Sequence, residues 1–154
     1  MARFTCGKCK QTVDNVGHVR ECYAAKPAAD PFASIPVADD TARYPGQSWY
    51  ALRPWHELAS IQGDILFFRV TRRLGERGGT TYLQIQSGGN YLEASPEYAR
   101  QCLTLIAAAP LASALLYGEK AERCSRCNTP LTHPDSRARR YGPDCYKKAF
   151  GGAA

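Results

Sequence analysis

"RCSRCNTPLTHPDSRARRYGPDCYKKAF" spans residues 123–150 and holds three cysteines and one histidine among prolines, arginines and short polar residues. So few of its side chains are apolar that burial alone cannot offset the entropy of ordering it. Metal ligation can. Cys124 and Cys127 form a C-x2-C pair, a spacing that lets one tight turn aim two thiolates at a single point, and His133 and Cys145 follow as further ligands. A tetrahedral zinc ion takes four such groups, with sulfur at roughly 2.3 Å and imidazole nitrogen at roughly 2.0 Å. His133 is the nearest fourth ligand by chemistry; Asp135 and Asp144 are alternatives for that position. A structural zinc contributes on the order of 10 kcal/mol to folding of such a unit, so this segment is expected to be a C-terminal zinc knuckle.

The remaining cysteines extend the same logic. Cys6 and Cys9 form a second C-x2-C, with His18 and Cys22 behind it as H-x3-C, four ligands within 17 residues. On a helix, residues four apart share one face one turn from each other, which suits His18 and Cys22 to one ion. Residues 1–26 therefore read as a short zinc finger, whose eight-residue central spacer is shorter than that of the common DNA-reading finger. Two zinc ions are expected. Cys102, alone in a helical apolar pattern, reads as a small core residue. The opening "MARFTCGKCK" lacks the apolar stretch of a secretory signal, and no run of 18 apolar residues occurs, so a cytoplasmic protein without a membrane span is expected. Thiols there stay reduced, which favours metal ligation over disulfides.

The C-terminal stretch "CSRCNTPLTHPDSRARRYGPDC" resembles the signature of a domain of unknown function found in actinobacteria and their bacteriophages: C-x2-C, leucine-threonine, proline, serine, an arginine-rich step, then glycine-proline-x-cysteine. "SWYAL", "ILFFRV", "TYLQIQ" and "ASALLYGEKAERC" are similar to the body of that domain, so the resemblance spans roughly residues 48–148. The family pattern often carries aspartate where this chain has His133. The resemblance implies a small zinc-bearing domain of phage or actinobacterial origin and specifies no activity.

Upstream of the knuckle the pattern is α+β: a small antiparallel hairpin or sheet with two helices, flanked by the finger and the knuckle. Residues 27–47 are rich in proline, alanine and aspartate without a period of 2 or 3.6, and read as a flexible linker. Residues 48–118 form the body. "SWYAL" is a short strand; "DILFFRVTRR" and "TTYLQIQ" are strands joined by a glycine-containing hairpin loop. Leu66, Phe68 and Val70 share one face and Ile65, Phe67, Arg69 and Thr71 the other, while Leu83 and Ile85 join the core. Ser95 caps a helix that starts at Pro96 and shows Tyr98, Cys102, Leu105 and Ile106 as its apolar stripe; Pro110 breaks it and opens a second helix. Residues 119–150 are the knuckle, packed on the body.

Charge sorts the function classes. Residues 1–26 hold five basic and two acidic side chains, residues 27–118 seven and eight, and residues 119–154 eight and four. The two metal modules carry the entire positive excess, an electrostatic footprint for phosphates. Arg123, Arg126, Arg137, Arg139, Arg140, Lys147 and Lys148 are the candidate nucleic-acid contacts, with Tyr141 and Tyr146 as stacking surfaces. A lesser cluster, Arg69, Arg72, Arg73 and Arg77, crowds the hairpin. Single-stranded or structured nucleic acid is favoured, since no helix-turn-helix pattern is visible. No H-E-x-x-H, G-x-S-x-G, phosphate-binding glycine loop or deaminase H-x-E motif is present, so a non-enzymatic protein is expected. The rival reading is an adaptor that docks on a host protein.

Overall fold

The structure, a computed structural model, describes residues 4–5, 12–13, 30–38, 46–53, 65–75 and 78–150. Two short strands near the N-terminus, β1 (Phe4–Thr5) and β2 (Thr12–Val13), pair antiparallel with Phe4 opposite Val13. A second, four-stranded antiparallel sheet is built from β3 (Gln47–Leu52), β4 (Leu66–Gly75), β5 (Gly78–Ser87) and β6 (Asn90–Glu93), in that spatial order. Helices α1 (Pro96–Ala108) and α2 (Pro110–Ala121) follow, then α3 (Pro134–Arg139) and α4 (Pro143–Phe150). The fold is α+β.

The alternation of β4 sets the layers. Leu66, Phe68 and Val70 point into a core shared with Tyr50 of β3, Leu83 of β5 and Cys102, Leu103 and Ile106 of α1. Phe68 and Val70 are wholly buried, and each such burial stabilises by about 1.5–3 kcal/mol. Register places Phe68 opposite Tyr50 on one side and Ile85 on the other. β6 was not legible as a strand. Its signal is the two-residue Gly88-Gly89 connection between Ser87 and Asn90, with Gly88 at a φ of +59° that favours glycine.

Helix starts follow their prolines. Ser95 accepts a hydrogen bond from the Tyr98 amide at 3.4 Å and caps α1, and Pro110 opens α2 after a 101° bend. The buried residues of α1 are Cys102, Leu103 and Ile106; Leu105, expected in the stripe, is 41% exposed. The stripe is rotated because α1 packs across both β3 and β5, so the i, i+1, i+4 set meets the sheet. No single helix among the described residues is long and apolar enough to cross a membrane.

The segment read as a flexible linker needs correction over its middle. Residues 30–38 lie on the sheet: Ile35 and Ala38 are wholly buried, and Phe32 and Val37 pack on the same core. Arg72 of β4 donates to the Ile35 carbonyl at 2.7 Å and to the Phe32 carbonyl at 3.3 Å, and Tyr50 Oη donates to the Pro36 carbonyl. Isolated apolar residues between prolines anchor this stretch, a pattern without a period. The arginine that looked like surface charge is spent on its carbonyls.

Candidate metal centre

The knuckle begins where α2 stops. Glu122 adopts a left-handed conformation (φ 52°, ψ 30°) and turns the chain, and the Leu131 amide returns to the Glu122 carbonyl at 2.8 Å. Within this loop the Asn128 amide donates to the Cys124 carbonyl at 2.8 Å and the Cys124 amide to the Thr129 carbonyl at 2.9 Å. Asn128 takes the positive φ of 54° that closes the turn; asparagine tolerates it better than most residues. Arg123 Nε braces the turn from below, donating to the Asn128 carbonyl and Oδ1 at 3.0 Å each. The turn is also tied to the sheet, since the Trp49 amide on β3 donates to the Ser125 carbonyl at 2.7 Å.

The third cysteine arrives on a helix. α3 ends at Arg140, left-handed at φ 61°, and the chain passes buried Tyr141 and Gly142 before Pro143 opens α4. Cys145 lies in the first turn of α4. The Sγ atoms of Cys124, Cys127 and Cys145 lie within 4.8 Å of one another. A tetrahedral zinc with sulfur at roughly 2.3 Å places neighbouring sulfurs about 3.8 Å apart, inside that bound. Cys124 is wholly buried and the other two are half-buried, which suits a structural ion screened from water.

The three thiols share their protons unequally. A hydrogen bond from Cys124 holds the Cys127 thiol down to about 4, against the opposing effect of burial, with Thr129 Oγ1 adding a further hydrogen bond at 3.3 Å. That same hydrogen bond, together with burial, pushes Cys124 well above the ordinary thiol range. Burial, then a hydrogen bond with Cys127 and after it that residue's charge, raises Cys145 to about 11. Thiols must be deprotonated to ligate a cation, so metal uptake by this group would release protons.

His133 is not part of this group. Its ring caps α3: Nδ1 accepts from the Asp135 amide at 3.3 Å, and the side chain is 70% exposed. Pro134 fixes the first turn of α3 and leaves His133 as its cap; the H-P-D order was the available signal. Asp135 and Asp144 are exposed in the first turns of α3 and α4 and do not join the sulfurs. Among the described residues the group is three cysteines, sufficient to hold one zinc ion. The finger ligands Cys6, Cys9, His18 and Cys22 lie outside the described residues, between and beyond β1 and β2.

The basic residues separate into two kinds. Arg123 braces the turn, Arg137 Nε donates to the Leu131 carbonyl at 2.8 Å, and Arg140 pairs with Glu119 on α2 at 2.7 Å. Arg126, half-buried, lines a cavity of about 320 Å³ with Tyr50, Tyr141 and Lys148. Arg139 instead stacks over the exposed Tyr146 ring, its guanidinium carbon 5.7 Å from the centroid, with Lys147 exposed beside it on α4. In the hairpin cluster, Arg69 lies 4.4 Å over Tyr91 and Arg73 5.0 Å over Tyr82; Arg77 lies outside the described residues.

A family of unknown function (DUF6011) matches residues 114–150. The match runs from within α2 through the three cysteines to the end of α4, so the sheet lies outside it and the wider similarity over residues 48–148 is supported only in its C-terminal part. No curated protein and no solved structure matches the chain.

Proposed function

We propose that the protein is a zinc-stabilised, non-enzymatic binding protein that contacts nucleic acid through the knuckle. The observation that carries the reading is the pairing of cation and ring on the knuckle's exposed side: Arg139 over Tyr146, with Lys147 and Lys148 on the same helix as that tyrosine. Cations neutralise phosphates and release counterions, and an exposed tyrosine offers a stacking surface to any base. The arginines engaged with the protein's own carbonyls, Arg123 and Arg137, hold the knuckle in shape. Zinc, bound by Cys124, Cys127 and Cys145, would fix α4 relative to the turn; a second ion in residues 1–26 belongs to the same proposal.

The test is a binding titration of the zinc-loaded chain with a labelled single-stranded oligonucleotide at two salt concentrations. Affinity is expected to fall steeply with salt, and Arg139→Ala with Lys147→Ala should reduce the slope of log affinity against log salt by about 1.4, at roughly 0.7 per phosphate contact on a single strand. Salt-independent affinity, or a double variant that binds as tightly as the parent, would refute the reading.

A further inference from the structure

The second face of the sheet carries a group of aromatic residues that the knuckle reading leaves unused. Register places Ala51 opposite Phe67 and Gln86 opposite Tyr91, and aligns Trp49, Arg69, Gln84 and Glu93 in one row across the four strands. Tyr117 of α2 comes in from the β3 edge, its ring meeting Phe67 edge-to-face at 5.8 Å and an interplanar angle of 86°. Two hydrogen bonds lock these rings: Trp49 Nε1 donates to Tyr91 Oη at 3.0 Å, and Tyr117 Oη donates to Asn128 Oδ1 at 2.9 Å.

Between them lies a cavity of about 330 Å³, lined by Phe67, Tyr91 and Tyr117 together with the amides Gln86 and Asn128 and the cations Lys120 and Arg123. The size is at the lower end of small-molecule sites. Its lining holds two cations and no carboxylate, although Lys120 also pairs with Glu119 outside the lining at 2.9 Å. Asn128 uses Oδ1 for Tyr117 and Arg123, and Gln86 uses Nε2 for the Gly88 carbonyl. Among the described residues Asn128 Nδ2 and Gln86 Oε1 have no hydrogen-bond partner, so the site presents one amide donor and one amide acceptor. A flat ring with both kinds of edge group, carrying a phosphate, matches apolar walls, paired amides and cationic side chains together.

We infer that this cavity is a nucleobase pocket, taking one base of a single strand against Phe67 and Tyr91 with its phosphate toward Lys120 and Arg123. The inference rests on the nucleic-acid reading above for the polymer, and adds a second contact on the sheet. Arg123 links the two, since the residue that braces the cysteine turn also lines the cavity.

The test uses the full zinc-loaded chain and two probes. Thymidine 5′-monophosphate titrated into the isotope-labelled protein should shift the side-chain amide signals of Gln86 and Asn128. A labelled deoxythymidine oligomer of about ten nucleotides should bind Tyr91→Ala about 5- to 150-fold more weakly than the parent, the loss expected from removing one base–aromatic stack, while Tyr91→Phe retains binding. Thermal melts confirm that both variants fold. If the oligomer binds parent and Tyr91→Ala alike and the mononucleotide leaves both amides unmoved, the pocket is overturned while the knuckle reading stands. If the oligomer does not bind at all, the knuckle reading fails, and the mononucleotide titration alone decides the cavity: unmoved amides overturn it as well.

Discussion

Gly118 offers a sharp test of how the knuckle is seated. It lies buried in α2, and a Cβ built there would sit 2.8 Å from Arg140 Cβ and 3.0 Å from the Arg140 carbonyl carbon, with the Arg140 carbonyl oxygen closer still. Carbon atoms prefer about 3.5–4.0 Å, so in Gly118→Ala the turn at Arg140 must retreat by about 1 Å. That turn is a left-handed residue pinned by its amide to the Ser136 and Arg137 carbonyls and by its guanidinium to Glu119. It therefore yields poorly. Overpacking of this kind costs about 1–3 kcal/mol, while alanine regains about 0.8–1.0 kcal/mol of helix propensity over glycine. The net expectation is a loss of up to about 2 kcal/mol, and at about 2–4 °C per kcal/mol for a chain of this size a melting midpoint lower by a few degrees. Zinc affinity measured by chelator competition should fall with it, because Arg140 leads directly into the segment that delivers Cys145. Thermal denaturation at saturating zinc is the assay. A midpoint that rises, as propensity alone would give, would refute the close approach of α2 to the turn.

Three further outcomes follow from the packing. Chelation, or Cys145→Ser, should lower the melting transition of the whole body and not only loosen the tail, because Cys124, Leu131 and Tyr141 share one core with Phe68, Val70 and Ile106; a body transition unchanged by chelator in circular dichroism would contradict this. His133→Ala should leave zinc content intact and cost about 0.5–2 kcal/mol as a lost cap, whereas loss of an ion in elemental analysis would return His133 to the site. Burial raises Cys102 from 9.0 to about 11, against a lowering hydrogen bond with Tyr98. The folded chain keeps that proton between pH 9 and 11 while the unfolded chain releases it, so this stabilisation is complete below pH 9 and is lost as pH climbs toward 11. The loss is on the order of 2 kcal/mol. Cys102→Ala should flatten the fall of stability over that window in paired melts, and equal slopes would sink the assignment.

The parts of this fold that were legible in the sequence are those set by local rules. Alternation along Leu66, Phe68 and Val70 gave the sheet's inner face, Pro96 and Pro110 marked both helix starts, and the C-x2-C and GP-x-C spacings located the three sulfurs that meet. What escaped depends on partners distant along the chain. Residues 30–38 have no periodicity, yet Ile35 is held by Arg72. Tyr117 reads as one more apolar residue of α2 until Phe67 and Asn128 are seen around it. His133 has the chemistry of a ligand, but the proline after it makes it a cap, a local rule that was outweighed by its position behind a cysteine pair. The arginine-rich step showed charge without showing which guanidinium groups are used internally; backbone carbonyls left over by tight turns recruited Arg123 and Arg137.

The central claim is that Cys124, Cys127 and Cys145 grip one metal ion. Zinc content per chain, measured on the purified parent and on Cys124→Ser side by side, tests it directly. The variant is expected to hold one ion fewer than the parent, with two zinc ions in the parent if residues 1–26 bind the other. Equal zinc in both proteins, or a parent that carries none and melts as before after chelator treatment, would contradict it.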